Sequence, residues 1–225
     1  MRFKFIRVKR LIVGNLSTNC YLVFDNKTKK GIIIDPGDDA QYISSSIEKL
    51  NVTPTLIIIT HGHFDHVLAT NELKLIYNIP VLANSRDLFL LNNLGERAIY
   101  FGEKEIDKNH KISIDVKIDK LKTISVSKIK LKIINTPGHT PGSVSLLSEE
   151  HGMIFVGDLI FDDGSVGRTD FNYSNKIKFN KSLNKIFRLR NGLFVFPGHG
   201  KAFKLGHLKR KKVMDKTIFQ RYDKV

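Results

Sequence analysis

Residues 60–66 read THGHFDH and directly follow the apolar run LIII at residues 56–59. Three of the chain's eight histidines and one aspartate lie within these seven residues. Imidazole and carboxylate groups are the usual protein ligands of zinc and similar divalent ions. A turn at the end of a strand lets a rigid sheet direct such ligands at one point. A solvated loop does not explain this density of histidines, so the stretch predicts a metal site.

Three further candidate ligands lie in similar places along the chain. His139 is in NTPGHTPGS (135–143), Asp158 in FVGDLIF (155–161) and His199 in FPGHGK (196–201). Each follows a β-rich run or lies in a Gly/Pro-rich turn. Within the first motif, His61 and His63 are two residues apart, so an extended turn would direct both to one side. Asp65 and His66 follow at the predicted start of a helix and can face a second centre. His110 and His151 are predicted to be polar surface residues.

The apolar runs between these motifs predict alternating strands and helices. Two β-rich blocks, each supplying helices, indicate an α/β four-layer αββα sandwich, with two sheets face to face and helices outside. The 225 residues contain no low-complexity linker, so we expect a single domain over 1–225. The predicted strands cover 21–24, 31–35, 55–60, 79–84, 121–126, 128–136, 143–148, 153–158 and 193–198. The predicted helices cover 39–50, 67–78, 85–95 (N-cap Ser85, stop Gly95) and 174–189 (N-cap Ser174).

Composition narrows the class of protein. No apolar run approaches the roughly 18 residues of a membrane span, and the basic start MRFKFIRVKR lacks a signal-peptide core. The lone Cys20, predicted to be a buried apolar side chain, fits a reducing compartment, so a cytoplasmic location is expected. The net charge of +15 comes mostly from lysines spread along the chain, which indicates a composition bias rather than a dedicated nucleic-acid-binding face. The basic cluster KLGHLKRKK (204–212) is interpreted as a solvated C-terminal segment.

The motif HGHFDH (61–66) resembles the HxHxDH signature of the metallo-β-lactamase-fold hydrolases, and TPGHT, GD and PGHG match that superfamily's later motifs in order. The resemblance implies the αββα sandwich with a two-metal site at the sheet edge. It implies that His61, His63 and His139 hold one ion, that Asp65, His66 and His199 hold the other, and that Asp158 bridges them. We expect two divalent ions, Zn²⁺ first and Fe or Mn as alternatives. A metal-bridging hydroxide would attack the substrate, and Asp65 or Asp158 would steer its proton.

A finer resemblance is to the short bacterial type II glyoxalases, or hydroxyacylglutathione hydrolases. It rests on TNCYLV (18–23), IIDPG (33–37), TPGHTPGSVSLL (136–147), GDLIFDDGSVGRTDF (157–171) and FPGHG (196–200). The resemblance implies hydrolysis of a small-molecule glutathione thioester, S-D-lactoylglutathione, to D-lactate and glutathione. Arg168 would bind a glutathione carboxylate or, equally, pair with Asp170. Asp35 would support the metal loops through hydrogen bonds or cap its own turn.

Two other activities of this superfamily stay open at this point. The GRTD segment (167–170) also resembles persulfide dioxygenases, in which His61, His139 and Asp158 would hold a single iron. A nuclease would use the positive charge, but such enzymes usually add a substrate-gripping arm, and none is evident here.

Overall fold

The computed structural model of the chain describes residues 1, 3–104 and 106–214, with side chains up to residue 210. Its strands form two six-stranded sheets. The first sheet, in spatial order, consists of β1 (Ile6–Val13), β2 (Thr18–Asp25), β3 (Lys30–Ile34), β4 (Thr53–Ile58), β5 (Val81–Ala83) and β6 (Val116–Lys117). The second has the order β12 (Phe203–Lys204), β11 (Phe194–Pro197), β10 (Met153–Gly157), β9 (Val144–Ser148), β8 (Ile129–Asn135) and β7 (Thr123–Val126).

Three apolar cores separate four layers. The helices α1 (Ala40–Lys49), α2 (Thr70–Tyr77), α3 (Leu88–Asn92) and α4 (Leu94–Tyr100) pack on the outer face of the first sheet. The helices α5 (Lys176–Phe187) and α6 (Leu205–Met214) pack on the outer face of the second. In β3, Ile32 and Ile34 face the core between the sheets while Ile33 faces the helices, as the two-residue period of a strand requires. The predicted αββα sandwich is confirmed.

The central strands end at one edge of the molecule. β3, β4 and β5 run parallel in the first sheet, and β10 and β11 run parallel in the second. Parallel strands present their carboxyl ends together, so the loops that follow them lie side by side. The predicted pairing of residues 21–24 with 31–35 is confirmed, since Tyr21 lies opposite Ile34 in an antiparallel ladder. β1 was not predicted, because its buried residues change from one face of the sheet to the other halfway along the strand.

Several predicted helix boundaries are wrong, and side-chain contacts explain the differences. The segment 85–95 is not one helix: a 3₁₀ turn capped by Asn84, whose side chain accepts from Arg86 N at 3.1 Å, precedes α3 and α4. Gly95 does not stop a helix but lies in α4, where a Cβ would come within 2.1 Å of the Asp107 carbonyl. The cap of α5 is Asn175, which accepts from Lys178 N at 2.8 Å, rather than Ser174.

Two predictions of surface exposure are also corrected. The basic segment 204–212 is not simply solvated, because Leu205 and Leu208 on α6 are buried against the outer face of the second sheet. His151 is buried and bonded to Ser148 Oγ at 3.0 Å. Cys20 is fully buried, as predicted. Among the residues that the structure describes, no helix combines the length and apolar character of a transmembrane span.

Candidate metal centre

The loops at this strand edge bring together all seven residues that the sequence singled out as metal ligands. The first sheet supplies four of them after β4, and the second supplies one each after β8, β10 and β11. Within the described chain, potential ligand atoms lie within 4.8 Å of one another in three groups: His61, His63 and His139; Asp65, His66 and His199; and Asp35, His61 and His66. The third group comes from the first sheet alone. The first two, called the ligand groups below, each take residues from both sheets.

In the first group, His139 Nε2 and His63 Nδ1 face each other at 2.9 Å. His139 Nδ1 lies 2.7 Å from the Arg168 carbonyl, which can only accept, so His139 carries its proton on Nδ1 and has a lone pair on Nε2. His63 Nε2 is engaged by the Tyr173 hydroxyl at 2.9 Å. This geometry directs two imidazole nitrogens at one point, which is the arrangement that a shared cation stabilises.

The second group surrounds the carboxylate of Asp65. Asp65 Oδ2 lies 3.5 Å from His66 Nε2 and 3.3 Å from His199 Nε2. Each of these histidines again has Nδ1 at an acceptor: His66 at Asp35 Oδ2, 3.1 Å away, and His199 at the Leu16 carbonyl, also 3.1 Å away. Their Nε2 atoms are therefore left to bind as lone-pair donors.

Asp158 lies between the two groups. Its Oδ1 is 3.4 Å from His66 Nε2, and its Oδ2 is 3.7 Å from His139 Nε2 and 3.6 Å from His199 Nε2. Among the seven residues, it is the carboxylate that approaches histidines of both groups. This position fits the bridging role that the resemblance implied for it.

Three buried atoms of the cluster indicate that metal ions fit these residues. His61 Nε2, His66 Nε2 and Asp158 Oδ1 are buried and have no hydrogen-bond partner. A buried polar atom without a partner costs about 1–3 kcal/mol, so such atoms are rare in folded proteins. Nitrogen and carboxylate donors of this kind are what zinc and iron prefer. The residues thus fit two divalent ions.

Without bound ions, the cluster holds some of its candidate ligands, but not all, in the protonation state that metal binding needs. Burial opposes protonation of His66 and His199, but the neighbouring carboxylates outweigh it and raise the pKa of both histidines, so a metal ion binding there would displace a proton. Burial lowers the pKa of His61 well below its usual value, and burial together with His139 lowers the pKa of His63 to about 3. Burial opposes the ionisation of Asp158, but its coulombic and hydrogen-bonding contact with His66 outweighs this and holds its pKa well below the usual range. Neutral imidazoles and ionised carboxylates are the forms that bind metals.

Asp35 fixes the orientation of two of these histidines. Its carboxylate accepts from Thr60 N at 2.7 Å and from Thr60 Oγ1 at 2.6 Å, and its Oδ2 also contacts His66 Nδ1. Since the Thr60 hydroxyl donates to Asp35, it accepts from His61 Nδ1 at 3.1 Å, which leaves His61 Nε2 as a lone-pair donor. Asp35 itself has a left-handed backbone (φ 51°). Of the two roles that the sequence left open for Asp35, support of the metal loops or capping of its own turn, its contacts show the first.

The sequence analysis missed Asp87, which connects the two halves of the first group. This buried carboxylate accepts from Gly62 N at 2.9 Å on the first histidine loop. It also accepts from Thr140 Oγ1 and Gly142 N, both at 2.6 Å, on the loop of His139. The available sequence signal was an Asp shortly after the predicted strand 79–84, at the start of a predicted helix, and only the folded chain shows that it is buried between the two loops.

We expect Asp87→Ala to weaken metal binding about 10- to 100-fold, because it removes the acceptor that holds the two loops in register. Three donors would lose their partner, so the free energy of unfolding should also fall by about 3 kcal/mol. Metal titration and denaturant unfolding measure the two effects. Asp119→Ala is the matched control, since Asp119 accepts from Ser85 N and Oγ away from the metal loops. Equal losses of metal affinity in both variants would contradict the prediction.

The turn PGHG brings its backbone unusually close to the cluster. A Cβ at Gly198 would lie 2.1 Å from Asp158 Oδ1 and 2.6 Å from His66 Cε1, so no larger residue fits there. The same turn is held by the first sheet: Asn19 Nδ2 and the Tyr21 hydroxyl donate to the Pro197 carbonyl at 2.9 and 2.7 Å. These contacts place His199 against residues from the other sheet.

A cleft of about 360 Å³ opens over the cluster. Its floor contains five of the candidate ligands, and its walls come mainly from the segment 161–173 and from α4. Arg168 lies at this wall, but its guanidinium forms two hydrogen bonds with Asp170, at 2.9 and 2.8 Å. Of the two roles that the sequence left open for Arg168, the pairing with Asp170 is the one present. A contact with substrate stays a prediction.

The chain is similar to known proteins along most of its length. A profile of the metallo-beta-lactamase superfamily matches residues 13–199. The chain is 33% identical over 210 residues to the hydroxyacylglutathione hydrolase GloC of Haemophilus influenzae, covering 91% of this chain and 96% of that protein.

Two solved structures are similar along nearly their whole length. TTHA1623 in a di-iron-bound form has a TM-score of 0.80 and 30% identity, with 90% of this chain and 98% of that chain covered. The BLEG-1 B3 metallo-beta-lactamase has a TM-score of 0.83 and 28% identity, with 91% and 97% covered.

The matched span includes every residue of the two ligand groups, and a relative with the same fold binds two irons. Together these findings suggest a dinuclear metal site, whose ions are not identified. They also indicate a hydrolase role of the kind found among the relatives. Because the profile covers most of the sequence and the fold is shared, the chain belongs to the metallo-β-lactamase superfamily.

Proposed function

We propose that this protein is a metal-dependent thioesterase that hydrolyses S-D-lactoylglutathione, or a related acyl-glutathione, to the hydroxy acid and glutathione. The observation that carries the proposal is the set of buried ligand atoms without partners, His61 Nε2, His66 Nε2 and Asp158 Oδ1, in a cluster that forms the floor of an open cleft. The similarity to a hydroxyacylglutathione hydrolase supports the choice of substrate.

In this proposal, His61, His63 and His139 would hold one divalent ion, Asp65, His66 and His199 would hold the second, and Asp158 would contribute to both sites. Zn²⁺ is the first choice for both ions, with Fe or Mn as alternatives. Bound ions of this type lower the pKa of water to near neutrality and polarise a carbonyl group.

The remaining chemistry belongs to side chains around the cleft. Asp65 and Asp158 are the carboxylates at its floor, and in this proposal one of them steers the proton that an attacking water releases. The Thr18 hydroxyl donates to Asp65 Oδ2 at 2.9 Å and fixes its orientation. Apolar side chains of Leu16, Phe161 and Val166 line the cleft, which limits the water around the reacting thioester.

The persulfide dioxygenase alternative would use only His61, His139 and Asp158. The second group is complete in the structure, with Asp65, His66 and His199 converging at 3.3–3.5 Å. A one-iron enzyme would give these three side chains no role, and for this reason we place the thioesterase first.

One experiment separates the candidate functions. The purified protein would be loaded with zinc, iron or manganese and assayed with lactoylglutathione, glutathione persulfide and a plain phosphodiester, with metal content measured in parallel. We expect lactoylglutathione hydrolysis with about two ions per chain. Oxygen uptake on the persulfide with one iron per chain, and no thioester hydrolysis with any metal, would overturn the proposal. Phosphodiester cleavage with steeply salt-dependent RNA binding would indicate a nuclease instead.

A further inference from the structure

We propose that Arg97 on α4 is the residue that binds a carboxylate of the glutathione part of the substrate, in an outer cleft next to the metal centre. This inference rests on the proposed function and extends it by naming the residue that gives specificity for an anionic thiol. The sequence analysis did not identify Arg97 as a functional residue.

The outer cleft continues directly from the cleft over the metal centre. It has a volume of about 590 Å³ and lies between α4 and the segment 168–173. Five residues line both spaces: Arg97, Phe101, Arg168, Phe171 and Tyr173. A substrate with its thioester at the metals can therefore extend its peptide arm into the outer cleft.

Arg97 has a fixed position, with a side-chain hydrogen bond to Tyr173 but no carboxylate partner among the described residues. Its guanidinium carbon lies 5.2 Å from the ring centroid of Tyr173 and 5.8 Å from that of Phe89, so two aromatic rings hold it in place. Its Nε is buried and has no hydrogen-bond partner. Among the residues that the structure describes, none forms a carboxylate ion pair with it. A cation held in this way at a cleft wall suits an incoming carboxylate.

Arg168, the other arginine at the shared wall, is already engaged. Both hydrogen bonds of its guanidinium fork go to Asp170, and it also lies 4.6 Å from the Phe171 ring. A substrate carboxylate would have to displace Asp170 to bind Arg168 with the same geometry. No such displacement is needed at Arg97, which makes it the stronger anchor of the two.

A continuous wall connects Arg97 to the metal centre. Below the guanidinium lies Tyr173, whose ring stacks on Phe171 with centroids 5.2 Å apart and planes 7° apart. The hydroxyl of Tyr173 contacts His63 Nε2 at 2.9 Å, at the edge of the first ligand group. The peptide arm of glutathione can lie along this aromatic wall, with its charged end at Arg97 and its sulfur near the metals.

The test compares Arg97→Met, which keeps the apolar stem, with Arg97→Lys and Arg168→Met. Two thioesters are assayed: S-D-lactoylglutathione, and S-D-lactoyl-N-acetylcysteamine, which has no carboxylate. For Arg97→Met we expect KM for the glutathione thioester to rise about tenfold while kcat changes less than about twofold, as the loss of one charge-assisted contact implies. The rise should be absent with the uncharged thioester, partly reversed in Arg97→Lys and smaller in Arg168→Met.

Direct binding keeps this inference separate from the proposed function. The dissociation constant of S-hexylglutathione, a thioether that cannot be hydrolysed, is measured by calorimetry on the metal-loaded protein and on Arg97→Met. About tenfold weaker binding by the variant supports the role of Arg97 even if no thioester is hydrolysed. The inference is overturned if the wild-type protein does not bind S-hexylglutathione, if both proteins bind it equally, or if KM rises equally for both thioesters. Unchanged metal content and unfolding temperature show that the variant is folded.

Discussion

Asp158→Ala is expected to reduce thioester hydrolysis at least about a thousandfold, which corresponds to ~4 kcal/mol of activation free energy. Asp158 is the carboxylate whose two oxygens lie within 3.4–3.7 Å of histidines from both ligand groups. In the proposed two-ion site, its loss would remove one ligand atom from each ion and a negative charge that would balance the two dications. Metal content per chain should fall together with activity. Hydrolysis assays and elemental analysis of the same preparation measure both.

Glu149→Gln is a suitable control for Asp158→Ala. Glu149 is an exposed carboxylate that forms an ion pair with Lys132 at 3.7 Å, and a surface pair of this kind contributes little to stability. The control should keep full activity and metal content. If Asp158→Ala kept both metal ions and more than a tenth of the activity, the bridging role would have to be abandoned.

Removal of the metals by a chelator should abolish hydrolysis and lower the unfolding temperature by roughly 10 °C. A ligand at a thousandfold excess over its Kd stabilises the native state by about 4 kcal/mol, and each kcal/mol corresponds to about 2–4 °C in a chain of this size. The physical reason is that His61 Nε2, His66 Nε2 and Asp158 Oδ1 then stay buried without partners. Differential scanning calorimetry before and after chelation measures the shift.

The same measurement on Asp158→Ala distinguishes specific metal stabilisation from a general effect of the chelator. In that variant chelation should shift the unfolding temperature much less, because the variant holds less metal at the start. Added Zn²⁺ should restore both activity and stability to the wild-type protein, whereas Mg²⁺ should not, since Mg²⁺ prefers oxygen ligands and this cluster is rich in nitrogen. An unchanged unfolding temperature in metal-free wild-type protein would contradict the two-ion interpretation.

The sequence predicted the features that depend on short-range pattern. The run before Thr60 and the alternating Ile32–Ile34 segment identify strands because apolar periodicity is local. The candidate ligands were found because histidine is scarce and the motifs occur in the order typical of the superfamily. The four-layer arrangement followed from the same apolar runs, because two β-rich blocks with helices can bury the apolar faces of their sheets and helices in only a few layer arrangements.

The residues that were missed depend on contacts between distant parts of the chain. Asp87 looked like an ordinary helix-start residue, and its role appears only when the loops around Gly62 and Gly142 meet at its carboxylate. Arg97 lies outside every predicted element, and its role depends on contact with the ring of Tyr173, which is distant in the sequence. The predicted N-terminal caps of two helical segments were wrong because the asparagine next to the predicted serine provides the cap: Asn84 in one and Asn175 in the other.

Each ligand group takes residues from both sheets, and this division has a consequence for folding. The chain crosses from the first sheet to the second between Lys117 and Thr123. A protein cut in that crossing would give an N-terminal fragment with His61, His63, Asp65 and His66, and a C-terminal fragment with His139, Asp158 and His199. Neither fragment would contain a whole ligand group. Each ion would therefore act as a cross-link between the fragments, and the affinity of one fragment for the other would increase with the concentration of free metal.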